Sequence, residues 1–239
     1  MHIITLGTSH GDMTYCRYNS STLLEECGVS YLIDAGSPAD GQMVRCGRST
    51  ANLKAVFITH VHADHMGGLP VLIKAIVKHA RGEQHCNIYL PEERALQPLI
   101  DWLDVFYLPK DKTEKHISFH ITKKGLIYND EKIAVSAIPT AHITIEGAKT
   151  YAFLVENKGD GKKILYSGDL RKDFSDFPDY AVNNYVDLCF CEATHYDPKI
   201  AIPMLSRCKF GRLIFNHVHN PWHGDGEKEL LRLASPLPY

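Results

Sequence analysis

A polar turn between two apolar runs constrains this fold more than any other stretch of the chain. Residues 55–58 predict a buried strand, and residues 71–77, which follow Met66-Gly67-Gly68-Leu69-Pro70, predict a helix. Between the two runs lies the sequence Thr59-His60-Val61-His62-Ala63-Asp64-His65. Three imidazoles and one carboxylate therefore follow the carboxyl end of a strand, which is where ligand sites collect in α/β sheets.

The side chains of this turn suit a metal site. His60 and His62 alternate closely enough to bind one cation as a pair, while Asp64 and His65 are displaced by the turn and can serve a second. Imidazole and carboxylate ligands favour zinc, with iron and manganese as alternatives. Coincidence is the competing explanation in a chain with 14 histidines among 239 residues, but four such residues at this spacing favour metal binding.

The composition favours a soluble protein without a membrane partner. With 239 residues, of which 44% are hydrophobic, the chain can bury a full core, and we expect a single domain over residues 1–239. The net charge of −2 provides no overall basic surface for nucleic acid. No apolar run reaches membrane-spanning length, and the first residues lack a charged n-region, so we expect a cytoplasmic location. Seven cysteines without a CxxC pair fit reduced thiols in that compartment.

Four strand-like runs in the second half each lead into a residue that can bind a metal ion. A single histidine after a strand is more often structural, but the repeated context strengthens each candidate. The runs are residues 133–138, 164–166, 186–190 and 213–215. The candidates that follow them are His142, Asp169, Glu192, His195 and His217. No linker or low-complexity segment divides the chain, and the pattern by itself predicts a mixed α/β fold.

Asp34 also follows a strand-like run, and the sequence allows it two roles. Residues 22–24 and 31–33, joined at Glu26-Cys27-Gly28, predict a hairpin, and Asp34 closes its second strand. The carboxylate can hold the metal-binding turn in place from behind its ligands, or it can cap the short helix predicted after Pro38. The two roles are equally well supported.

The ordered series of candidate ligands resembles that of the metallo-β-lactamase superfamily. The matching residues are His60-x-His62-x-Asp64-His65, His142, Asp169 and His217. The resemblance implies an α/β fold, the αββα sandwich, with two mixed β-sheets packed face to face and helices outside. It also implies two divalent metal ions, zinc first and manganese or iron as alternatives. One ion would take His60, His62 and His142, the other Asp64, His65 and His217, and Asp169 would bridge them.

Within the superfamily the chain is most similar to RNase Z and its small phosphodiesterase relatives. The similarity lies in Leu6-Gly7-Thr8, in residues 64–70, in Ser167-Gly168-Asp169 and in Glu192-Ala193-Thr194. Two departures weigh against tRNA processing. Cys191 takes the place where RNase Z often has histidine, and no Gly-Pro-rich arm for gripping tRNA is evident. We therefore expect a small or cyclic phosphodiester as substrate; a nucleic-acid end is the less evident choice, and an oligomer remains open.

The resemblance implies hydrolysis by a hydroxide that bridges the two ions, because paired metals lower the pKa of water and clamp the phosphoryl oxygens. Asp64 is the candidate to orient or deprotonate that water, and Glu192 and His195 are candidates to protonate the leaving oxygen. A structural hydrogen-bonding role is an equal alternative for Glu192 and His195.

Three alternatives remain. His219 and His223 can bind phosphate, although Asn220-Pro221-Trp222 favours a structural turn. The same centre can hydrolyse a lactone, thioester or β-lactam, since fold does not decide the substrate. A metal-binding protein without turnover is the last alternative, and the complete ligand series argues against it.

Overall fold

Two six-stranded mixed sheets, one in each half of the chain, organise the structure. The computed structural model describes residues 1–14 and 16–238, and the chain divides into two compact units, Met1–Thr122 and Lys123–Tyr239. Each unit combines its sheet with helices, which confirms the predicted α/β class with two mixed sheets. A single domain over residues 1–239 stays a prediction.

The first unit contains six strands and five helices among its described residues. The strands are β1 (His2–Gly7), β2 (Ser21–Glu26), β3 (Val29–Ile33), β4 (Leu53–Phe57), β5 (Cys86–Leu90) and β6 (Ile117–Ile121). The helices are α1 (Ala39–Arg45), α2 (Ala63–Met66), α3 (Leu69–His79), α4 (Leu96–Val105) and α5 (Lys110–Glu114), with 3₁₀ turns at Thr50–Asn52 and Glu93–Ala95. The strands lie in chain order; β1, β2 and β3 are antiparallel, and β3 to β6 are parallel.

The predicted hairpin joins β2 to β3 through a tight turn. Glu26 pairs with Val29, so Cys27 and Gly28 alone form the loop. Both loop residues have positive φ, 49° and 80°, as the type I′ turns of two-residue hairpins require. The structure therefore confirms the hairpin and explains why a glycine occupies its second position.

Helix α3 buries one face against the core of the first unit. Leu69, Leu72, Ile73 and Ile76 recur at helical spacing and have no solvent exposure. Pro70 lies in the first turn, where the missing N–H costs no helical hydrogen bond. The helix predicted from residues 71–77 is thus confirmed, and its buried face supports the chain just after residues 59–65.

The described part of the second unit, residues 123–238, has eight strands, six of which form the main sheet. The strands are β7 (Gly125–Asn129), β8 (Ile133–Thr140), β9 (Thr150–Asn157), β10 (Lys163–Tyr166), β11 (Tyr185–Val186), β12 (Leu188–Ala193), β13 (Lys209–Phe210) and β14 (Leu213–Val218). The helices are α6 (Tyr180–Asn183), α7 (Pro198–Leu205) and α8 (Gly226–Ala234), with a 3₁₀ turn at Asn220–Trp222. The main sheet has the order β14-β12-β10-β9-β8-β7, and β11 pairs with β13.

Strand direction in the second sheet explains why the candidate ligands meet. Strands β10, β12 and β14 are parallel, so their carboxyl ends lie at one edge. Strand β9 is antiparallel to both β8 and β10, which makes β8 run in the same direction as β10. The four chain segments that follow β8, β10, β12 and β14 therefore leave the sheet at the same edge.

Several elements, including α2, α5, α6, α7, β6, β7 and β13, were not predicted from the sequence. The lysine-rich segment of residues 110–124 includes α5 and β6, and β7 follows it. Most side chains of β6 and β7 are only partly buried, and each strand is at an edge of its sheet, so their apolar signal is weak. The metal-binding turn itself includes helix α2. Over residues 1–14 and 16–238, no helix is both long and apolar enough to cross a membrane.

We predict that Leu72→Ala lowers the free energy of unfolding by about 2–5 kcal/mol, because it leaves a cavity in a closely packed core. Its neighbour Val71 is 45% exposed on the same helix, so Val71→Ala should change stability by no more than about 0.5 kcal/mol. Urea denaturation followed by circular dichroism measures both. Equal losses for the two variants would contradict the buried face of α3.

Candidate metal centre

Four side chains of the first unit converge just after β4. His60 Nε2 lies 3.0 Å from His62 Nδ1, and His65 Nε2 lies 3.5 Å from Asp64 Oδ2. The rings of His60 and His65 are 4.1 Å apart between centroids. His60 and His65 are buried, whereas His62 is exposed and Asp64 is partly exposed. The structure thus brings together the four ligands predicted in this turn, with two of them open to solvent.

Asp34 holds this turn from the protein interior. Its carboxylate is fully buried and accepts hydrogen bonds from the Thr59 backbone N–H at 2.8 Å and from Thr59 Oγ1 at 2.9 Å. Its other oxygen lies 2.8 Å from His65 Nδ1. Burial raises the pKa of Asp34, while the nearby His65 and the Thr59 hydrogen bonds oppose that rise.

These contacts decide between the two roles that the sequence allows for Asp34. Helix α1 has Pro38 at its N-cap position, so Asp34 does not cap it. By holding Nδ1 of His65, Asp34 directs Nε2 of the same ring toward Asp64, as carboxylates behind metal-binding histidines do. Thr59, which the sequence did not single out, completes the arrangement and also lies 3.0 Å from His60 Nδ1.

The backbone after Asp34 is bound to the same turn. The Ala35 N–H donates to the His65 carbonyl at 2.7 Å, and the Gly68 N–H donates to the Ala35 carbonyl at 2.8 Å. A Cβ at Gly36 would lie 2.3 Å from the Asp64 carbonyl oxygen. Only glycine lets the backbone at residue 36 come this close to the backbone of Asp64. The segment after β3 and the turn of residues 59–65 are thus joined by backbone hydrogen bonds.

In the second unit, Asp169 lies at the centre of three imidazoles. Its Oδ2 is 3.3 Å from His217 Nε2, 3.7 Å from His195 Nδ1 and 3.8 Å from His142 Nε2. Asp169, His195 and His217 each offer a donor atom within 4.8 Å of the others. One carboxylate surrounded by imidazoles is a donor set that suits zinc or a similar divalent ion. His195, expected as a proton donor, therefore also lies where a ligand would.

Hydrogen bonds orient the histidine that follows β8. His142 Nδ1 donates to the Leu170 carbonyl at 3.0 Å, which leaves Nε2 as the nitrogen facing Asp169. Asp176 accepts from the Ala141 N–H at 2.7 Å and from the Arg171 N–H at 2.9 Å, and so ties together the loops that carry His142 and Asp169. No sequence pattern identified Asp176.

His217 occupies a bulge in β14. Glu192 pairs with Asn216 and Ala193 pairs with Val218, so His217 is the extra residue between two registered pairs. Its φ of 49° is unusual for a residue with a side chain. Thr194 Oγ1 donates to its carbonyl. A bulge redirects the side chain out of the regular alternation, here toward Asp169.

Glu192 supports the site through hydrogen bonds. It is 2% exposed, and its oxygens accept from the backbone N–H groups of Leu170 at 2.8 Å, Thr194 at 2.8 Å and His195 at 3.0 Å. One oxygen lies 3.0 Å from His195 Nδ1. These bonds make Glu192 a positioning residue for His195. A direct part in proton transfer stays a prediction for both residues.

Other candidates have structural partners. His223 Nε2 donates to the Val218 carbonyl at 2.8 Å, which favours the structural turn predicted there.

Cys191, which precedes Glu192 in the sequence, occupies the position where RNase Z often has histidine. It is buried, and burial raises the pKa of its thiol. A protonated thiol is a poor metal ligand, so Cys191 belongs with the core of the second unit, together with buried Cys189.

Comparison with known proteins gives one family match and curated relatives. A family model described as Anti-Pycsar protein Apyc1 matches residues 1–200. The Ribonuclease Z of Shouchella clausii (strain KSM-K16) is 31% identical over 163 residues, which make up 66% of this chain and 49% of that protein. The chain therefore spans about half the length of the curated relatives that it matches.

Solved structures share the fold. The short form of human tRNase Z superposes with a TM-score of 0.77 at 23% identity, covering 93% of this chain and 94% of that chain. The metallo-β-lactamase fold protein YhfI from Bacillus subtilis gives a TM-score of 0.75 at 18% identity, covering 98% and 92%. These likenesses confirm the fold class expected from the ligand series.

We predict that Asp34→Asn weakens zinc binding by about 10- to 100-fold, since the variant keeps the shape of the side chain but loses the charge that holds His65. Competition with a chromogenic chelator measures the affinity. Asp40→Asn, a matched change in helix α1, should bind zinc as the wild type does. Unchanged affinity in Asp34→Asn would show that His65 is positioned without Asp34.

Proposed function

We propose that this chain, which belongs to the Anti-Pycsar protein Apyc1 family and to the metallo-β-lactamase superfamily, is a metal-dependent phosphodiesterase acting on small or cyclic phosphodiesters. The observation that carries the proposal is the grouping of imidazoles with a carboxylate in each unit: His60, His62 and His65 with Asp64, and His142, His195 and His217 with Asp169. Imidazole and carboxylate donors are the ligands that hydrolytic zinc sites use, and this supports the proposal.

The ligand assignment that we propose follows the superfamily's order. His60, His62 and His142 would hold one ion, Asp64, His65 and His217 the other, and Asp169 both. We propose zinc, because imidazole and carboxylate donors suit it. Two such ions supply positive charge to a phosphodiester and lower the pKa of bound water.

The residues around the ions would handle the proton and the phosphate. Asp64 is partly exposed beside His65, so its carboxylate can accept a proton from an attacking water. His195, held by Glu192, can protonate the leaving oxygen. One water is thus added across one P–O bond, which gives an alcohol and a phosphomonoester.

A cavity of about 400 Å³ in the second unit supports an anionic substrate of small size. His142 and His195 line it together with Thr144, Leu170, Arg171, Lys172 and Asp173. Arg171 also pairs with Asp173 at 3.3 Å, and Lys172 is exposed. Two cationic side chains beside the histidines favour a phosphate group, and the volume is in the range of small-molecule sites.

Cleavage of precursor tRNA is the second candidate, and the Ribonuclease Z relatives favour it. A long RNA would need many Lys or Arg contacts to its phosphates. Two of the basic residues available for such a track already have acidic partners: Arg48 donates to Glu25 at 2.8 Å, and Lys110 lies 3.6 Å from Glu114. We therefore rank small diesters above tRNA.

We predict that the wild-type protein, purified without chelator, binds two transition-metal ions per chain and that Asp169→Ala binds at least one fewer, because Asp169 is the shared ligand. Inductively coupled plasma mass spectrometry gives the count. Asp160→Ala, in the turn before β10, should keep both ions. One ion or none in the wild type would refute the dinuclear assignment.

We predict a higher kcat/KM for a nucleoside cyclic phosphate and for bis(p-nitrophenyl) phosphate than for a 3′-extended tRNA at equal salt. A small diester needs contacts only with the proposed metal centre in order to bind and react. A tRNA held through six or more phosphates would lose affinity by about 10³-fold or more between about 50 and 200 mM salt.

The same assay should include a lactone and a β-lactam panel. A higher kcat/KM for the tRNA than for the small diesters would instead assign RNase Z activity to the protein. Turnover of a lactone or β-lactam in preference to every diester would replace phosphodiester hydrolysis with attack on a carbonyl carbon.

A further inference from the structure

A second cavity, of about 600 Å³, lies at the C-terminal end of helix α3 in the first unit. The residues that line it, as far as the structure describes them, are Ser49, Ala51, Asn52, Lys78, His79, Ala80, Arg81 and Gln84. Three of these side chains are basic and none is acidic. The cavity therefore gathers positive charge in a chain whose net charge is −2.

The cavity is separate from the candidate metal centre. Helix α3 begins at Leu69, shortly after the turn of residues 59–65, and the cavity is at the other end of the helix. The helix has 11 residues, which at about 1.5 Å of rise per residue make it roughly 16 Å long. A small molecule in the cavity is therefore not in reach of that centre.

The basic side chains of the cavity are available to a ligand. Lys78, His79 and Arg81 are exposed, and none of them forms an ion pair with a carboxylate in the described part of the chain. Arg48 and Arg94 of the same unit, by contrast, each bind a glutamate. Positive charge in the last turn of α3 also stabilises the helix dipole, which accounts for Lys78 and His79. Arg81 lies beyond the C-cap residue, so the dipole does not account for it.

Gln84 adds a neutral donor that the fold leaves unused. Its backbone N–H donates to the Arg81 carbonyl at 3.2 Å, and its carbonyl accepts from His116 Nδ1 at 2.9 Å, so both main-chain groups have partners. Its side-chain Nε2 is buried and has no hydrogen-bond partner among the residues that the structure describes. A buried donor of this kind costs free energy unless a ligand accepts from it. Because an amide nitrogen only donates, the missing partner is an acceptor.

The wall opposite Gln84 is a fixed polar turn. Ser49 Oγ accepts the Ala51 N–H at 3.1 Å, and the Asn52 N–H donates to the Ser49 carbonyl at 3.3 Å. The Ser49 hydroxyl accepts in this turn, so its own O–H is left to donate to a ligand. The Asn52 side chain lines the same wall. The cavity thus combines cations on one side with neutral hydrogen-bonding groups on the other.

We propose that this cavity binds a dianionic phosphate group carried by a small sugar. Lys78 and Arg81 supply two permanent charges, which match the charge of about −2 on a phosphomonoester near neutral pH. The Arg81 guanidinium and the Gln84 amide would donate to its oxygens, and hydrogen bonds from a cation to phosphate are among the strongest in proteins.

The neutral lining favours a sugar as the rest of the ligand. The volume is in the range of sites for whole small molecules rather than for a single ion. Ser49 and Asn52 can exchange hydrogen bonds with hydroxyl groups. The described lining contains no Phe, Tyr or Trp on which a nucleobase would stack. Free phosphate shares the anionic chemistry, so the experiment separates it from a sugar phosphate.

The test follows the two donors themselves by two-dimensional ¹H–¹⁵N NMR of the full chain purified with its metal. The Arg81 Nε–H signal and the Gln84 side-chain amide signals are identified by their loss in Arg81→Lys and Gln84→Leu. Ribose 5-phosphate, inorganic phosphate and ribose are titrated separately, with sodium chloride at equal ionic strength as the control. Signals at the cavity report binding there, whatever the phosphate does at the metal centre.

We expect ribose 5-phosphate to shift both sets of signals to saturation and inorganic phosphate to shift them with lower affinity. Ribose and sodium chloride should leave them unchanged. Lys78→Met should weaken the binding of ribose 5-phosphate by about tenfold or more, since it removes a charged donor. Lys74→Met changes an exposed lysine one turn earlier in α3 that does not line the cavity, and it should bind as the wild type does.

Shifts that follow ionic strength alone, or equal losses of affinity in Lys74→Met and Lys78→Met, would overturn the inference. Equal affinity for inorganic phosphate and ribose 5-phosphate would assign the cavity to free phosphate and overturn the sugar. No step of the test involves hydrolysis, so its failure leaves the proposed phosphodiesterase untouched, and an inactive protein that binds ribose 5-phosphate here would refute the phosphodiesterase alone.

Discussion

The buried carboxylate of Asp34 is the constraint on which the turn of residues 59–65 depends. Removing a charge from water costs several kcal/mol unless hydrogen bonds or an opposite charge compensate. Here the compensation comes from the Thr59 N–H, the Thr59 hydroxyl and His65. The burial of Asp34 therefore requires all three groups to stay within hydrogen-bonding distance of its carboxylate. The packing of the first unit itself therefore helps to position the turn.

In the second unit, other carboxylates hold the candidate ligands in position. Glu192 accepts hydrogen bonds from three backbone N–H groups and contacts His195. Asp176 accepts hydrogen bonds from the loops that carry His142 and Asp169. Loops at strand ends are normally the mobile part of a fold. Carboxylates bound to their backbone N–H groups give these loops a fixed shape, and a fixed shape keeps imidazole nitrogens within reach of one ion.

Substrate choice depends on the surroundings of the ligands more than on the ligands. One metal-dependent fold serves many reactions, so the fold shared with tRNase Z and YhfI leaves the substrate open. The features that bear on the choice are local. In the second unit, Arg171, Lys172 and Asp173 line a cavity together with His142 and His195. The volume of this cavity, about 400 Å³, is in the range of small-molecule sites.

Sequence alone determined the features that depend on short-range pattern. Strand and helix periods predicted β4, α3 and the β2–β3 hairpin, and the spacing of residues 59–65 identified four ligand candidates, because neighbours along a chain are also neighbours in a turn. Only the tertiary structure decided the rest. It resolved the role of Asp34, found Asp176, and joined the Glu192 carboxylate to the Leu170 backbone. Each of these contacts joins residues from different elements, and such pairs form only when strand order and helix packing bring distant segments together. No local pattern encodes that arrangement.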